Sequence, residues 1–158
     1  MSGSKGIVIG EDLHIVLALA PIDINGGKSS DVWSMANHSH VSILVLLGAT
    51  GGATTITVEE CDNFGPNAST TIGFSYYAET TAGGDTLGAR TTVGTGGFGA
   101  SQNGGVFYVI EIDASQLTDG RPNLRVVASN PSGVVLGAIV VILSGSRYAQ
   151  PESATAIA

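Results

Sequence analysis

The strongest constraint on the fold is an alternation of residues with a period of two along most of the chain. In Leu13–Ala20, the odd-numbered positions carry Leu or Ile, and the even-numbered positions between them form a second face. The same period recurs at Thr54–Glu60, Thr71–Glu79 and Val106–Ile112. Successive side chains of a β-strand point to opposite faces, so this pattern predicts half-buried strands.

Short apolar runs between the alternating segments predict further strands: Val32–Met35, Val41–Leu47, Leu87–Val93 (an edge strand), Leu124–Ser129 and Val134–Leu143. Gly-rich turns separate the runs at roughly 8–12-residue spacing, which is typical of a sandwich or barrel. We therefore predict an all-β, jelly-roll-like, two-sheet antiparallel β-sandwich of eight or nine strands. Val41–Leu47 and Val134–Leu143 are apolar on both faces and are expected near a subunit contact, as is an exposed Tyr77.

A chain of 158 residues is long enough for one domain with a single core. We place the β-sandwich at residues 13–143, between an N-terminal arm (1–12) and a C-terminal arm (144–158), both expected to be flexible and to reach neighbouring subunits. The connection Gly94–Gly105 is so rich in glycine that we expect it to need a partner to hold a fixed shape. Asp113–Leu117 has the pattern of a single capped helical turn.

The charge composition excludes several partners. Charged residues make up only 12%, which suggests that other protein covers much of the surface. The net charge is −7 and the six basic residues are scattered, so we expect no nucleic-acid binding. The longest apolar run is about half a membrane span. Acidic residues stand where a signal peptide would be basic, so we expect synthesis in the cytoplasm, with the sequons at Asn37 and Asn67 serving as turns.

The glycines of Gly48–Gly52 follow an apolar strand, as they do at the start of a dinucleotide-binding unit. Such a loop must open a helix whose N-terminus holds the pyrophosphate. The following residues, Ala53–Val58, are β-branched and alternate with a period of two. We therefore predict a hairpin turn here and no nucleotide site.

His38 and His40 stand two residues apart on a predicted strand and could share a metal ion. No carboxylate follows in Val41–Val45, and the only other histidine is His14. A polar strand entrance explains the pair better, although a trimer axis could gather three copies of it.

The single cysteine, Cys61, lies among Glu59, Glu60 and Asp62. Carboxylates raise the pKa of a thiol, whereas a nucleophilic cysteine needs positive surroundings and a base. We therefore predict a buried structural thiol. The spaced acids Asp85, Asp113 and Asp119 form no calcium-loop pattern and are assigned to solvated turns. The sequence thus predicts no catalytic, cofactor-binding or metal-binding residue, no cofactor and no enzymatic activity.

Several segments together resemble the small decoration (cement, or minor capsid) proteins of tailed phages: Pro21–Lys28, Val32–Met35, Thr57–Asp62, Phe74–Asp85, Val109–Ala114 and Asn123–Val126. The resemblance implies a jelly-roll-like subunit that forms a homotrimer, binds the major capsid protein and lies on the virion surface. It carries over no functional residues, because the function of that family is contact area. Two alternatives stay open: a tail, baseplate or fibre component (adhesin), and a carbohydrate-binding β-sandwich module.

Overall fold

The computed structural model describes residues 6–146 and 155–157. A single α-helical turn, α1 (Ile9–Asp12), precedes the first strand, and a 3-10 turn, η1 (Ala114–Gln116), follows the tenth. The strands within these residues are β1 (His14–Asp23), β2 (Lys28–Ser29), β3 (Trp33–Ser34), β4 (His38–Thr50), β5 (Thr55–Cys61), β6 (Ser69–Ile72), β7 (Phe74–Glu79), β8 (Thr91–Val93), β9 (Phe98–Gly99), β10 (Val106–Asp113), β11 (Asn123–Ala128) and β12 (Val135–Ser146).

The strands form two antiparallel sheets of six that pack face to face. The sheet with the longer strands, which we call the larger sheet, has the order β1-β12-β4-β10-β7-β8. The smaller has β2-β11-β5-β6, with β3 also paired to β11 and β9 to β5. In each sheet a strand from the start of the chain pairs with one from its end: β1 with β12 in the larger sheet, and β2 with β11 in the smaller one. This is the arrangement of a jelly roll, with β10 added between β4 and β7. The predicted two-sheet antiparallel sandwich is confirmed.

The core lies between the sheets and is filled by alternate residues of each strand. On β4 these are Val41, Ile43, Val45 and Leu47, each 4% exposed or less. Trp33, the only tryptophan, is fully buried. The period of two thus separates a core-facing side of β4 from an outer side.

The segment Thr71–Glu79, predicted as one strand, is divided at Gly73 between the two sheets. Ile72 on β6 pairs with Val58 of the smaller sheet, whereas Phe74 on β7 pairs with Val93 of the larger one. A Cβ atom at Gly73 would lie 2.9 Å from the carbonyl oxygen of Val93, closer than real contacts allow. The glycine thus lets the chain cross between the sheets, and short pieces of this kind raise the strand number above the expected eight or nine.

The glycine loop Gly48–Gly52 also connects the two sheets, so the predicted hairpin turn is wrong. β4 belongs to the larger sheet and β5, which follows, to the smaller one. The N–H of Gly51 donates to the carbonyl oxygen of Val134 at 2.6 Å, and a Cβ at Gly52 would stand 2.0 Å from the carbonyl oxygen of Pro131. Close backbone approach therefore explains the glycines. A strand follows them, so the loop opens no helix that could bind a pyrophosphate.

The Gly94–Gly105 connection is held by its own domain, contrary to our expectation. Phe98 on β9 is buried, and its ring stacks on Tyr76 with centroids 4.2 Å apart and lies 4.6 Å from the ring of Tyr108. The hydroxyl of Tyr108 accepts a hydrogen bond from the N–H of Ser101 at 2.6 Å. One aromatic side chain in a glycine-rich segment thus supplies the burial that orders it.

The ends of the chain differ from two free arms. Residues 6–12 of the N-terminal arm include α1, and Met1–Lys5 lie outside the described residues. β12 continues to Ser146, three residues beyond the predicted boundary. Of the remaining C-terminal arm, Ala156 is buried and its carbonyl oxygen accepts from the N–H of Ser34 at 2.8 Å. That piece therefore packs on its own sandwich, whereas residues 147–154 and 158 lie outside the described residues.

The predicted capped turn after β10 is present as η1, where the N–H of Asp113 donates to the side-chain oxygen of Gln116 at 2.8 Å. Within residues 6–146 and 155–157, no helix has the length and hydropathy that crossing a membrane requires.

Candidate interaction surface

The outer face of the larger sheet carries a continuous row of apolar side chains across five strands. In register order this row is Leu17, Val140, Leu44, Val109 and Tyr77. Each of these residues alternates with core residues on its own strand, so its side chain points away from the sandwich. Leu17 is 54% exposed. Tyr77 lies here as expected, with Tyr76 turned toward the core.

A second apolar row lies beside the first and contains Ala138, Leu46 and Phe107 in neighbouring register positions. Leu136 continues the apolar surface at the same end and is 49% exposed. Single exposed aliphatic residues are common on soluble proteins, but contiguous ones mark sites of interaction. We call this surface, built from the two rows with Leu136, the apolar face.

The outer face of the smaller sheet has the opposite character. It presents Thr55, Thr57 and Glu59 from β5 beside Arg125 from β11. The guanidinium Nε of Arg125 lies 2.6 Å from Oε2 of Glu59, and one NH2 group donates to the hydroxyl of Ser69 at 3.3 Å. Arg125 is thus paired with polar groups of the same sheet. The sandwich is therefore one-sided, with a polar outer surface on one sheet and an apolar one on the other.

A groove of about 430 Å³ crosses the apolar face at the end marked by Leu136. Its wall is formed by Leu46, Phe107, Leu136 and Ala138, with Pro21 at its rim and backbone from Gly48 and Gly105. None of the described residues that line it is charged. The chemistry of this groove suits an aliphatic segment rather than a charged ligand.

A histidine bound between two carboxylates closes the other end of the apolar face. Nδ1 of His40 lies 2.7 Å from Oδ1 of Asp113, and Nε2 lies 2.7 Å from Oε2 of Glu111. The hydroxyl of Ser42 donates to the same Glu111 oxygen at 2.6 Å. Burial alone would lower the pKa of His40, but the hydrogen bonds and charges of Asp113 and Glu111 outweigh it, and the pKa is raised. Both ring nitrogens are occupied, so His40 serves here as a cross-strand link.

His38 has different neighbours from His40. Its ring stacks on that of His14 with centroids 6.1 Å apart, and it lines a small pocket with Asn37 and Phe64. Burial lowers the pKa of His38, and the neighbouring His14 lowers it further. Among the described residues, no three His, Cys, Asp or Glu side chains come together as a metal-binding group. The two histidines thus have separate structural surroundings within one copy.

Cys61 is fully buried, as predicted. Burial is the main cause that raises the pKa of its thiol, and Glu59 and Asp62 add to the effect. The adjacent Glu60 is also buried, where it accepts from the N–H of Thr118 at 2.9 Å and lies 3.9 Å from Arg121. A buried thiol with a raised pKa is a poor nucleophile, so Cys61 is not placed for chemistry. The contacts of Glu60 with Thr118 and Arg121 hold β5 against the η1–β11 connection.

No protein-family model matches the chain, and no curated protein matches its sequence. The surface chemistry of the fold therefore carries the functional argument.

Sequence reasoning located part of the apolar face and missed the rest. The runs Val41–Leu47 and Val134–Leu143 were singled out because they are apolar on both faces, and both contribute to it. The contribution of β1 was missed: Val16 and Ala18 point to the core, whereas Ile15 and Leu17 point outward. The larger aliphatic residues of that strand are thus on its outer side, which is itself a signal of a covered surface.

Proposed function

We propose that this chain is a virion structural protein, a capsid decoration (cement) protein that binds the outside of a tailed-phage head and stabilises it. In this proposal its partners are the major capsid protein and other copies of itself, arranged as a homotrimer. It is made in the host cytoplasm and has no enzymatic, nucleic-acid-binding or membrane role.

The observation that carries the proposal is the one-sidedness of the sandwich. An apolar outer face on one sheet and a polar, ion-paired outer face on the other suit a subunit that packs on protein by one side and meets water by the other. A free sandwich needs only its inner faces apolar. The apolar face from Leu17 to Tyr77 is therefore the surface that we assign to contact within the virion.

Charge supports an outside position on the shell. The net charge is −7, and two of the six basic residues, Arg121 and Arg125, are engaged with Glu60 and Glu59 of the same chain. A subunit that faced packaged DNA would need free basic side chains to neutralise phosphates. A subunit on the outer surface needs none.

Stabilisation follows from mass action. A protein that binds only the assembled shell lowers the free energy of that state, and the stabilisation grows with its concentration above the dissociation constant. The function thus requires contact area and no chemistry. In agreement with this, the reactive side-chain types that drew attention in the sequence, Cys61 and His40, are engaged in structural contacts.

The test is addition of the purified protein to phage heads that lack it. We expect co-sedimentation with the heads and a rise in the temperature at which they release DNA. Leu17→Lys, on the apolar face, should weaken binding. Phe64→Lys is the control, because Phe64 is similarly exposed at 41% but lies in the β5–β6 connection of the smaller sheet. Equal DNA release with and without the protein, or location of the protein on tails alone, would refute the capsid role and favour the tail or fibre alternative.

A further inference from the structure

An exposed aliphatic segment lies at the start of the described chain. Ile7, Val8 and Ile9 are 75%, 44% and 47% exposed, and glycines flank them. The segment has a defined conformation, because Asp12 accepts from the N–H of Val8 at 2.8 Å and so closes the turn of α1. Exposing three consecutive aliphatic side chains to water is unfavourable in free energy, and burying them in an apolar groove would be favourable.

The apolar groove between Leu136 and Phe107 is complementary to this segment in chemistry. The described residues that line the groove carry no charge, and neither does Ile7–Ile9. Leu136 and Leu46 on its wall are exposed in the single copy. Joining the segment and the groove would remove both sets of apolar side chains from water.

The segment does not reach the groove of its own chain while the turn of α1 is kept. β1 starts at His14, opposite Leu143, and the groove begins on β12 at Ala138. Five residues of β12 separate Leu143 from Ala138, or about 17 Å. With the turn of α1 kept, Ile9 reaches about 12 Å from His14, and only a fully extended chain would bring Ile7 as far as the groove. An occupant that keeps this turn therefore comes from another molecule.

We propose that the apolar groove of one copy receives the Ile7–Ile9 segment of a second copy. The segment leaves the sandwich at the end of the larger sheet where His40 lies, and the groove is at the opposite end. A neighbour placed with its His40 end beside the groove therefore presents its segment there. Repetition of this contact around a ring, or its reciprocal exchange about a two-fold axis, closes the assembly. The inference rests on the self-association included in the proposed function and names the surfaces that make it.

The test is cross-linking between differently labelled copies, without capsids. One batch carries Ile9→Cys and the other Leu136→Cys, and the buried Cys61 is left in place in both. After mixing and mild oxidation, we expect disulfide-linked pairs that contain one chain of each kind. Ile9→Cys mixed with Leu87→Cys is the matched control, because Leu87 is similarly exposed but lies outside the groove.

A second variant measures the contribution of the segment. Ile7→Ser with Ile9→Ser should weaken self-association about a hundredfold in sedimentation or light-scattering experiments, since two exposed aliphatic residues lose their buried position. The thermal unfolding of the dilute protein should not change, because both side chains are exposed in the single copy.

Equal cross-linking to Leu87→Cys, or unchanged self-association of the double serine variant, would overturn the proposal. So would cross-links formed within one chain that carries both Ile9→Cys and Leu136→Cys. These outcomes leave capsid binding to be decided separately: a protein that fails here but protects phage heads retains the proposed function. One that exchanges its segments but does not bind heads loses that function.

Discussion

Phe98 offers the sharpest test of how the glycine-rich Gly94–Gly105 connection is ordered. Its side chain is 6% exposed and contacts the rings of Tyr76, Tyr108 and Phe74. Phe→Ala in a core costs about 3–5 kcal/mol. We expect the lower end, about 3 kcal/mol, because the two-residue strand β9 can shift to fill part of the space. For a domain of this size, that loss lowers the melting temperature by roughly 6–12 °C.

The assay is thermal unfolding of Phe98→Ala and Phe64→Ala at one protein concentration, since self-association would shift both. Phe64 is the control because it is 41% exposed and should lose well under half as much. Limited proteolysis should also find new cleavage sites between Gly94 and Gly105 in the Phe98 variant alone. If the two variants melt together, or the connection stays resistant, then Phe98 does not anchor it.

Three further predictions concern titrating groups. The pKa of His40 is raised in the folded state, so its charged form stabilises the fold below the ordinary histidine pKa, and this stabilisation is lost as the pH rises through the folded-state pKa. His40→Asn should therefore lower the free energy of unfolding in urea more at about pH 5.5 than at about pH 8.5. The reverse order would contradict this. Because burial raises the pKa of Cys61, an aromatic disulfide reagent should label the thiol only after unfolding, and rapid labelling of native protein would refute its burial. The N–H groups of Thr81 and Thr86 donate to the Glu79 carboxylate at 2.6 and 2.9 Å and lower its pKa, so Glu79→Gln should lower the melting temperature at about pH 7. This loss should shrink as the pH falls through the lowered folded-state pKa, and a loss independent of pH would show that the charge is not what holds the loop.

The sequence by itself determined the strand content and the sandwich. Period-two alternation depends only on the geometry of an extended chain, so it located β1, β5 and β10 within a few residues. The short apolar runs located β4, β11 and β12 to similar precision. The turn after Asp113 was also predictable, because it depends on its immediate neighbours.

Tertiary structure alone decided which sheet each strand joins and which face is covered. Gly73 and Gly52 were predicted within or beside single elements, but their roles arise from carbonyl groups of Val93 and Pro131 that are distant in sequence. Likewise, Ile15 and Leu17 could be assigned to the outer face only when the smaller sheet had been packed against the other side of β1. Alternation defines two faces of a strand but does not say which faces the core, since that depends on where the second sheet packs. The apolar face is therefore a property of the assembled sandwich.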